Sequence, residues 1–165
     1  MTVGQRTYSW HDPAELDKLG RGMDGLAFTR HLLAAGEDGR MPVAATYGFR
    51  LAEVEPGRVV FVADVGEHLY NPIGAVHGGF AATLLDSAAG SAIHTTVPAG
   101  TSYTTLNLTV RYLRPITADV GPVRAIGIVL NRGRRTALAR AEVRDKDDRL
   151  LAYATSSCMV FPPDA

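Results

Sequence analysis

The chain has 165 residues, 46% hydrophobic and 21% charged, with 17 Lys and Arg balanced by 17 Asp and Glu. That length suits one domain with a real core, and the composition excludes a disordered chain. Zero net charge excludes the strongly basic footprint of a nucleic-acid binder and offers little resistance to self-association. A single cysteine, Cys158, excludes an intramolecular disulfide and a thiolate metal cluster. Residues 1–11 lack an apolar signal core and no apolar run approaches membrane-spanning length, so the expectation is a cytoplasmic protein with no membrane partner.

In chain order, residues 1–12 are polar and carry no periodic pattern. Asp12 as N-cap and Pro13 at the first helical position predict a short helix to Leu19. Asp24 and Gly36 bracket a second helix over Gly25–Ala35. Glu37–Arg40 reads as a polar turn, and Ala44–Glu53, rich in strand formers, as a strand. Glu55-Pro56-Gly57-Arg58 supplies a turn into a second strand, Val59–Val65, a hairpin signal. Gly66–Ala75 is loop. An Ala- and Leu-rich helix starts near His77 or Gly78 and ends near Thr95 or Thr96.

Downstream, everything reads as strand. Tyr103–Arg114 alternates with period two, placing Leu106, Leu108, Val110 and Tyr112 on one face and Thr105, Asn107, Thr109 and Arg111 on the other. Val120–Leu130, Thr136–Asp145 and Leu150–Phe161 are three further strands, separated by turns at Asn131-Arg132-Gly133 and Lys146-Asp147-Asp148. Short turns imply antiparallel neighbours. The central helix is nearly uncharged and has few polar residues to offer water, so a sheet must wrap it. The expected fold class is α+β, one curved antiparallel sheet around one long helix, with extra N-terminal helices. The chain divides into an N-terminal extension (1–43), a main domain (44–161) and a short tail (162–165).

The chemistry concentrates between Asn71 and His94. A helix N-terminus exposes unpaired N–H groups and partial positive charge, suited to a carbonyl oxygen that becomes anionic. Gly78 and Gly79 lack side chains and let an acyl carbonyl approach those groups. Equally, the glycines let a helix begin in a crowded place. Asp86 lies among Leu84, Leu85, Ala88 and Ala89, where an unpartnered carboxylate is expensive. It is either functional or tied into a structural salt bridge to Arg111 or Arg114. Asn71 opens an ordinary Asn-Pro turn or presents its amide to a reactant. Gly78 and Asp86 are eight residues apart, about 12 Å along a helix. One helix cannot bring both to a single carbonyl, so an acid and an oxyanion donor acting together must come from two subunits.

The set Asn71, His77-Gly78-Gly79, Asp86 and the strand-ending Tyr112-Leu113-Arg114-Pro115 resembles the hotdog-fold thioesterases of the phenylacetate-degradation (PaaI-like) type. The resemblance covers roughly Ala44–Phe161. It implies a hotdog fold and an acyl-CoA thioesterase, with coenzyme A as part of the substrate and no separate cofactor. By the same resemblance Asp86 attacks the thioester carbonyl or activates water as general base. Gly78, with Gly79, forms the oxyanion hole, and Asn71 holds the water or the carboxylate. Thr105 stands where the family places a hydroxyl near the acid; an exposed strand threonine is the ordinary alternative. His77 positions substrate or caps the loop, with support preferred over acid–base work. The resemblance also implies a homodimer, in some members paired into a tetramer. One departure is Gly90, one turn after the acid, where related branches carry Ser or Thr.

Arg132, Arg134 and Arg135 cluster at a turn and are candidates for the phosphates of coenzyme A, a solvated cluster being the alternative. The histidines show no metal-ligand pattern, and P-loop, dinucleotide and G-x-S-x-G motifs are missing, so no metal is expected. A hydratase is disfavoured because Leu69 and the late His77 break its D-x-N-P-x-H pattern. A non-catalytic acyl-CoA-binding module is the remaining rival.

Overall fold

A computed structural model describes residues 2–36 and 41–163. The two N-terminal helices are α1 (Pro13–Arg21) and α2 (Gly25–Ala35), each N-capped by an aspartate side chain, Asp12 and Asp24. The turn expected at Glu37–Arg40 lies outside the described residues.

The strand expected over Ala44–Glu53 is corrected. Pro42–Tyr47 forms a short helix, α3, and β1 runs Phe49–Glu55. Pro42 sits at the helix start, where its missing N–H costs nothing. Gly48 ends the helix in the left-handed region (φ 77°) with its N–H on the Ala44 carbonyl at 2.8 Å. The Arg6 guanidinium caps the same end, donating to the Thr46 carbonyl at 2.7 Å.

After β2 (Arg58–Ala63) the loop leads to α4 (Gly78–His94), then β3 (Ser102–Tyr112), β4 (Val123–Arg132), β5 (Thr136–Arg144) and β6 (Leu150–Phe161). All pairings are antiparallel, in the order β1-β2-β4-β5-β6-β3. The chain thus leaves β2, lays α4 across the sheet, and returns as β3 at the far edge before crossing to β4. The turn expected at Asn131–Gly133 shifts to 133–135, because Asn131 and Arg132 stay paired with Leu138 and Ala137.

α4 buries Phe80, Leu84, Leu85 and Ile93 along with five small residues, each of those four large side chains contributing about 1.5–3 kcal/mol. The small residues let the helix come close to the sheet. Ala125, Ala139, Ala141 and Ala154 are fully buried beneath it, and a Cβ on Gly127 would run into the Ala88 carbonyl. Among the described residues no helix is long and apolar enough to cross a membrane.

The simple alternation expected in β3 is also corrected. Its pairing with β6 slips between Thr105 and Asn107, a bulge at Leu106. Before the bulge Tyr103 and Thr105 point inward; after it Leu108 and Val110 do. Leu106 is left 56% exposed, and Tyr112 likewise stands 56% exposed.

Candidate active site

The helix start is built by His77. Its backbone carbonyl accepts from Phe80 and its Nδ1 accepts from the Gly79 N–H at 2.9 Å. Of the two readings of His77, capping is the one its contacts express. The Gly79 N–H, expected to share the oxyanion role, donates here to His77. The Gly78 N–H, at the first helical position, has no acceptor among the described residues. Tyr112 fixes this end by donating its hydroxyl to the Gly78 carbonyl at 3.0 Å. A Cβ on Gly78 would lie 3.2 Å from the Tyr112 ring, so glycine keeps the two in contact.

Asn71 closes the preceding loop as an Asx turn, its Oδ1 accepting from the Ile73 N–H at 3.0 Å. The amide oxygen is therefore occupied and the amide nitrogen is the group left to meet a reactant. Asn71, Gly78, Tyr112 and Arg114 line one cleft of about 330 Å³.

Asp86, two turns further along α4, belongs to a different place. It is half-buried and its Oδ1 accepts from Thr105 Oγ1 at 3.0 Å. The bulge at Leu106 is what turns Thr105 toward the helix. Cys158 Sγ approaches the Thr105 hydroxyl at 4.0 Å from the neighbouring strand. Burial pushes the Cys158 thiol up, its hydrogen bonds with Ser156 and Thr105 oppose that, and the Asp86 carboxylate adds to it. A salt bridge from Asp86 to Arg111 or Arg114 is not formed. Arg111 donates to the Val110 carbonyl and Arg114 to that of Leu150.

Tyr103, two residues before Thr105 on the same face, was not singled out by sequence. Burial first, then Cys158 and Asp86, push its hydroxyl far above the usual phenol range. Its ring lies where a Gly90 side chain would stand, with the hydroxyl 3.2 Å from that Cβ position. Gly90, noted as a departure from related chains, thus makes room for a phenol. Parity along the strand pairs Tyr103 with Thr105, but the bulge decides that their shared face turns inward.

Arg132 lies on the row Thr105–Cys158–Ala137–Arg132, three strand spacings or about 14 Å from Thr105. Its Nε is shielded from solvent and has no partner. Arg134 and Arg135 are exposed at the turn. None of the three forms an ion pair among the described residues, whereas Arg50, Arg58, Arg124, Arg144 and Arg149 all do.

A family model described as thioesterase superfamily matches residues 73–152. The chain is 31% identical to phenylacetic acid degradation protein PaaI from Thermus thermophilus, solved as a point mutant, over 72% of this chain and 98% of that one, with a TM-score of 0.65. A phenylacetic acid degradation-related protein from Ralstonia eutropha is 30% identical over 79% and 98% of the two chains, with a TM-score of 0.70. A Halobacterium salinarum protein provisionally named as an esterase is 29% identical over 145 residues, 84% of this chain and 85% of that protein.

Proposed function

The chain belongs to the thioesterase superfamily, and from that membership we propose that it hydrolyses an acyl-CoA thioester to the free acid and coenzyme A, at a site shared by two copies of the chain. The observation that carries this reading is the separation on α4 of an available N–H donor, Gly78, from an oriented carboxylate, Asp86. Each alone is half of a hydrolytic site.

In the shared site the thioester carbonyl accepts from Gly78 of one subunit. Asp86 of the other subunit either takes a proton from water, whose oxygen adds to the carbonyl carbon, or adds to that carbon itself. The carbonyl electrons move onto oxygen and are stabilised at the helix N-terminus. Their return breaks the C–S bond and expels the thiolate of coenzyme A, which takes up a proton. If Asp86 has added, water then cleaves the mixed anhydride and restores the carboxylate. Thr105 orients the acid through Oδ1, which leaves Oδ2 for the reactant. Asn71 contributes its amide nitrogen, and His77 keeps the helix start in shape. Arg132, Arg134 and Arg135 meet the phosphates of coenzyme A.

Self-association is supported by β3, an edge strand of 11 residues whose outer side pairs with nothing among the described residues. Leu138, Met159 and Phe161 form an apolar patch on the outer face of β5 and β6, suited to pairing dimers into a tetramer. The deciding experiment is thiol release from aromatic, short and medium acyl-CoAs by wild type and Asp86→Ala. Release by wild type that the variant loses supports the reading. Binding without release favours an acyl-CoA-binding module instead.

A further inference from the structure

Residues 13–36, which the site above does not use, wall a second cleft of about 520 Å³, within the size range of small-molecule sites. Resting on the thioesterase reading, we propose that this cleft is the subsite for the distal part of the acyl group, and that it takes a neutral acyl chain bearing a hydroxyl or keto oxygen near its end.

Leu16 of α1, Met23 of the α1–α2 turn, and Phe28 and Leu32 of α2 form one wall; His94, Thr101 and Tyr103 form the other. Tyr103 and Thr105 share a face of β3 and stand two residues, about 7 Å, apart. Thr105 holds Asp86. His94 lies eight residues after Asp86 on α4, about 12 Å along the axis. The cleft therefore begins one residue pair from the reacting carboxylate and runs toward the C-terminal end of α4, away from Gly78. An acyl group with its carbonyl at Asp86 would pass Tyr103, which lines the cleft, to reach it.

Thr101 Oγ1 is shielded from solvent without a hydrogen-bond partner. The Tyr103 hydroxyl and the His94 imidazole likewise make no hydrogen bond among the described residues, although both rings are packed, His94 between Phe28 and Tyr103. Burial keeps that imidazole neutral, so it offers one donor and one acceptor. The shielded Thr101 hydroxyl calls for a ligand that supplies an oxygen, and the Tyr103 hydroxyl and His94 imidazole line the same cleft beside it. At the rim Arg21 and Asp17 pair at 2.7 Å and cancel, so no free charge favours an ionic chain end.

Three substrates test this: acetyl-CoA, octanoyl-CoA, and octanoyl-CoA hydroxylated at its terminal carbon. Wild type is expected to favour the hydroxylated chain over the plain one in kcat/KM by about tenfold, the ratio one added hydrogen bond supplies. Thr101→Val should erase that preference, and Met23→Trp, which fills the cleft, should lower kcat/KM for both long chains while acetyl-CoA turnover stays unchanged. An unaltered chain-length profile in folded Met23→Trp overturns the proposal and leaves the thioesterase reading standing. Preference for the plain chain, unmoved by Thr101→Val, overturns it too. If wild type cleaves no thioester, the thioesterase reading falls. Calorimetric titration with octanoate and its terminally hydroxylated analogue then decides the cleft: tighter binding of the hydroxy acid, lost in Met23→Trp, supports it, and no binding of either overturns it.

Discussion

Thr105 reaches Asp86 only because β3 slips by one residue against β6 immediately after it. Tyr103 and Thr105 share the inward face on one side of the slip, Leu108 and Val110 on the other. One extra residue in an edge strand thus decides that the acid has a hydroxyl donor.

The consequence is measurable. Asp86→Asn should lower kcat for thioester hydrolysis by about 10²–10⁴-fold, as expected when a positioned acid or base is removed. Thr105→Val should cost about tenfold, one hydrogen bond, while Thr105→Ser retains most activity. Equal rates in wild type and Thr105→Val would mean that the hydroxyl does not orient the acid.

The shared site makes a complementation prediction. Asp86→Asn and Gly78→Val homodimers should both be nearly inactive. Refolded together in equal amounts, half the dimers are mixed and each carries one intact site, so about one quarter of wild-type activity should return. No recovery would place both groups in the same subunit.

Arg132, Arg134 and Arg135, none ion-paired among the described residues, should act on the leaving half of the substrate. Replacing all three by Ala is expected to raise KM for acyl-CoA about tenfold, the loss of one or two charge-assisted contacts. The same variant should treat an acyl thioester of N-acetylcysteamine, which has no phosphates, as wild type does.

Close approach of sheet to helix predicts a stability effect. Gly127→Ala drives a methyl into the Ala88 carbonyl, and should destabilise by about 1–3 kcal/mol or more in urea unfolding, as overpacking does. Gly4→Ala, with nothing within 4 Å, is the control and should be neutral.

Stability should also fall in two steps on acidification. Burial lowers the His94 pKa from 6.5, so below that value the unfolded chain binds a proton that the folded one refuses, and the contribution is lost as pH falls. His94→Gln should flatten this first step, which begins as pH falls through the ordinary imidazole value of 6.5. For Asp145, burial acts to raise the pKa from 3.8, but the Arg149 N–H and guanidinium and the Asp147 N–H outweigh it and hold the carboxyl low. That contribution is full above the unfolded value and disappears as pH falls through the folded one. Thermal unfolding against pH, in wild type and His94→Gln, resolves the two.

What the sequence by itself determined is local. Asp24 and Gly36 bracket α2 because a cap and a stop act within one turn of the helix they bound. The run from Gly78 to His94 is too apolar to face water, which dictated a helix enclosed by the later strands. The same run carried Gly78 and Asp86 at a spacing too long for one carbonyl. At Pro42–Tyr47 local signals conflicted: strand formers surround a proline start and a glycine stop, and the terminators prevailed.

Only the tertiary structure decided the rest, because it depends on pairing between residues far apart in the chain. The bulge at Leu106 is a matter of register with β6, about fifty residues downstream. The placing of β3 beside β6, where it leaves an open edge, is invisible in a list of strands. That His77 takes up the Gly79 N–H, leaving Gly78 available, depends on a side-chain orientation that residue identity does not specify. Beside the cleft walled by α1 and α2, Gly25 and Gly90 admit the end of α4 and the Tyr103 ring where a Cβ would block them. Helix caps are short-range hydrogen bonds and can be read from neighbours; register, edges and clefts are sums of long-range contacts, settled only when the whole sheet closes around α4.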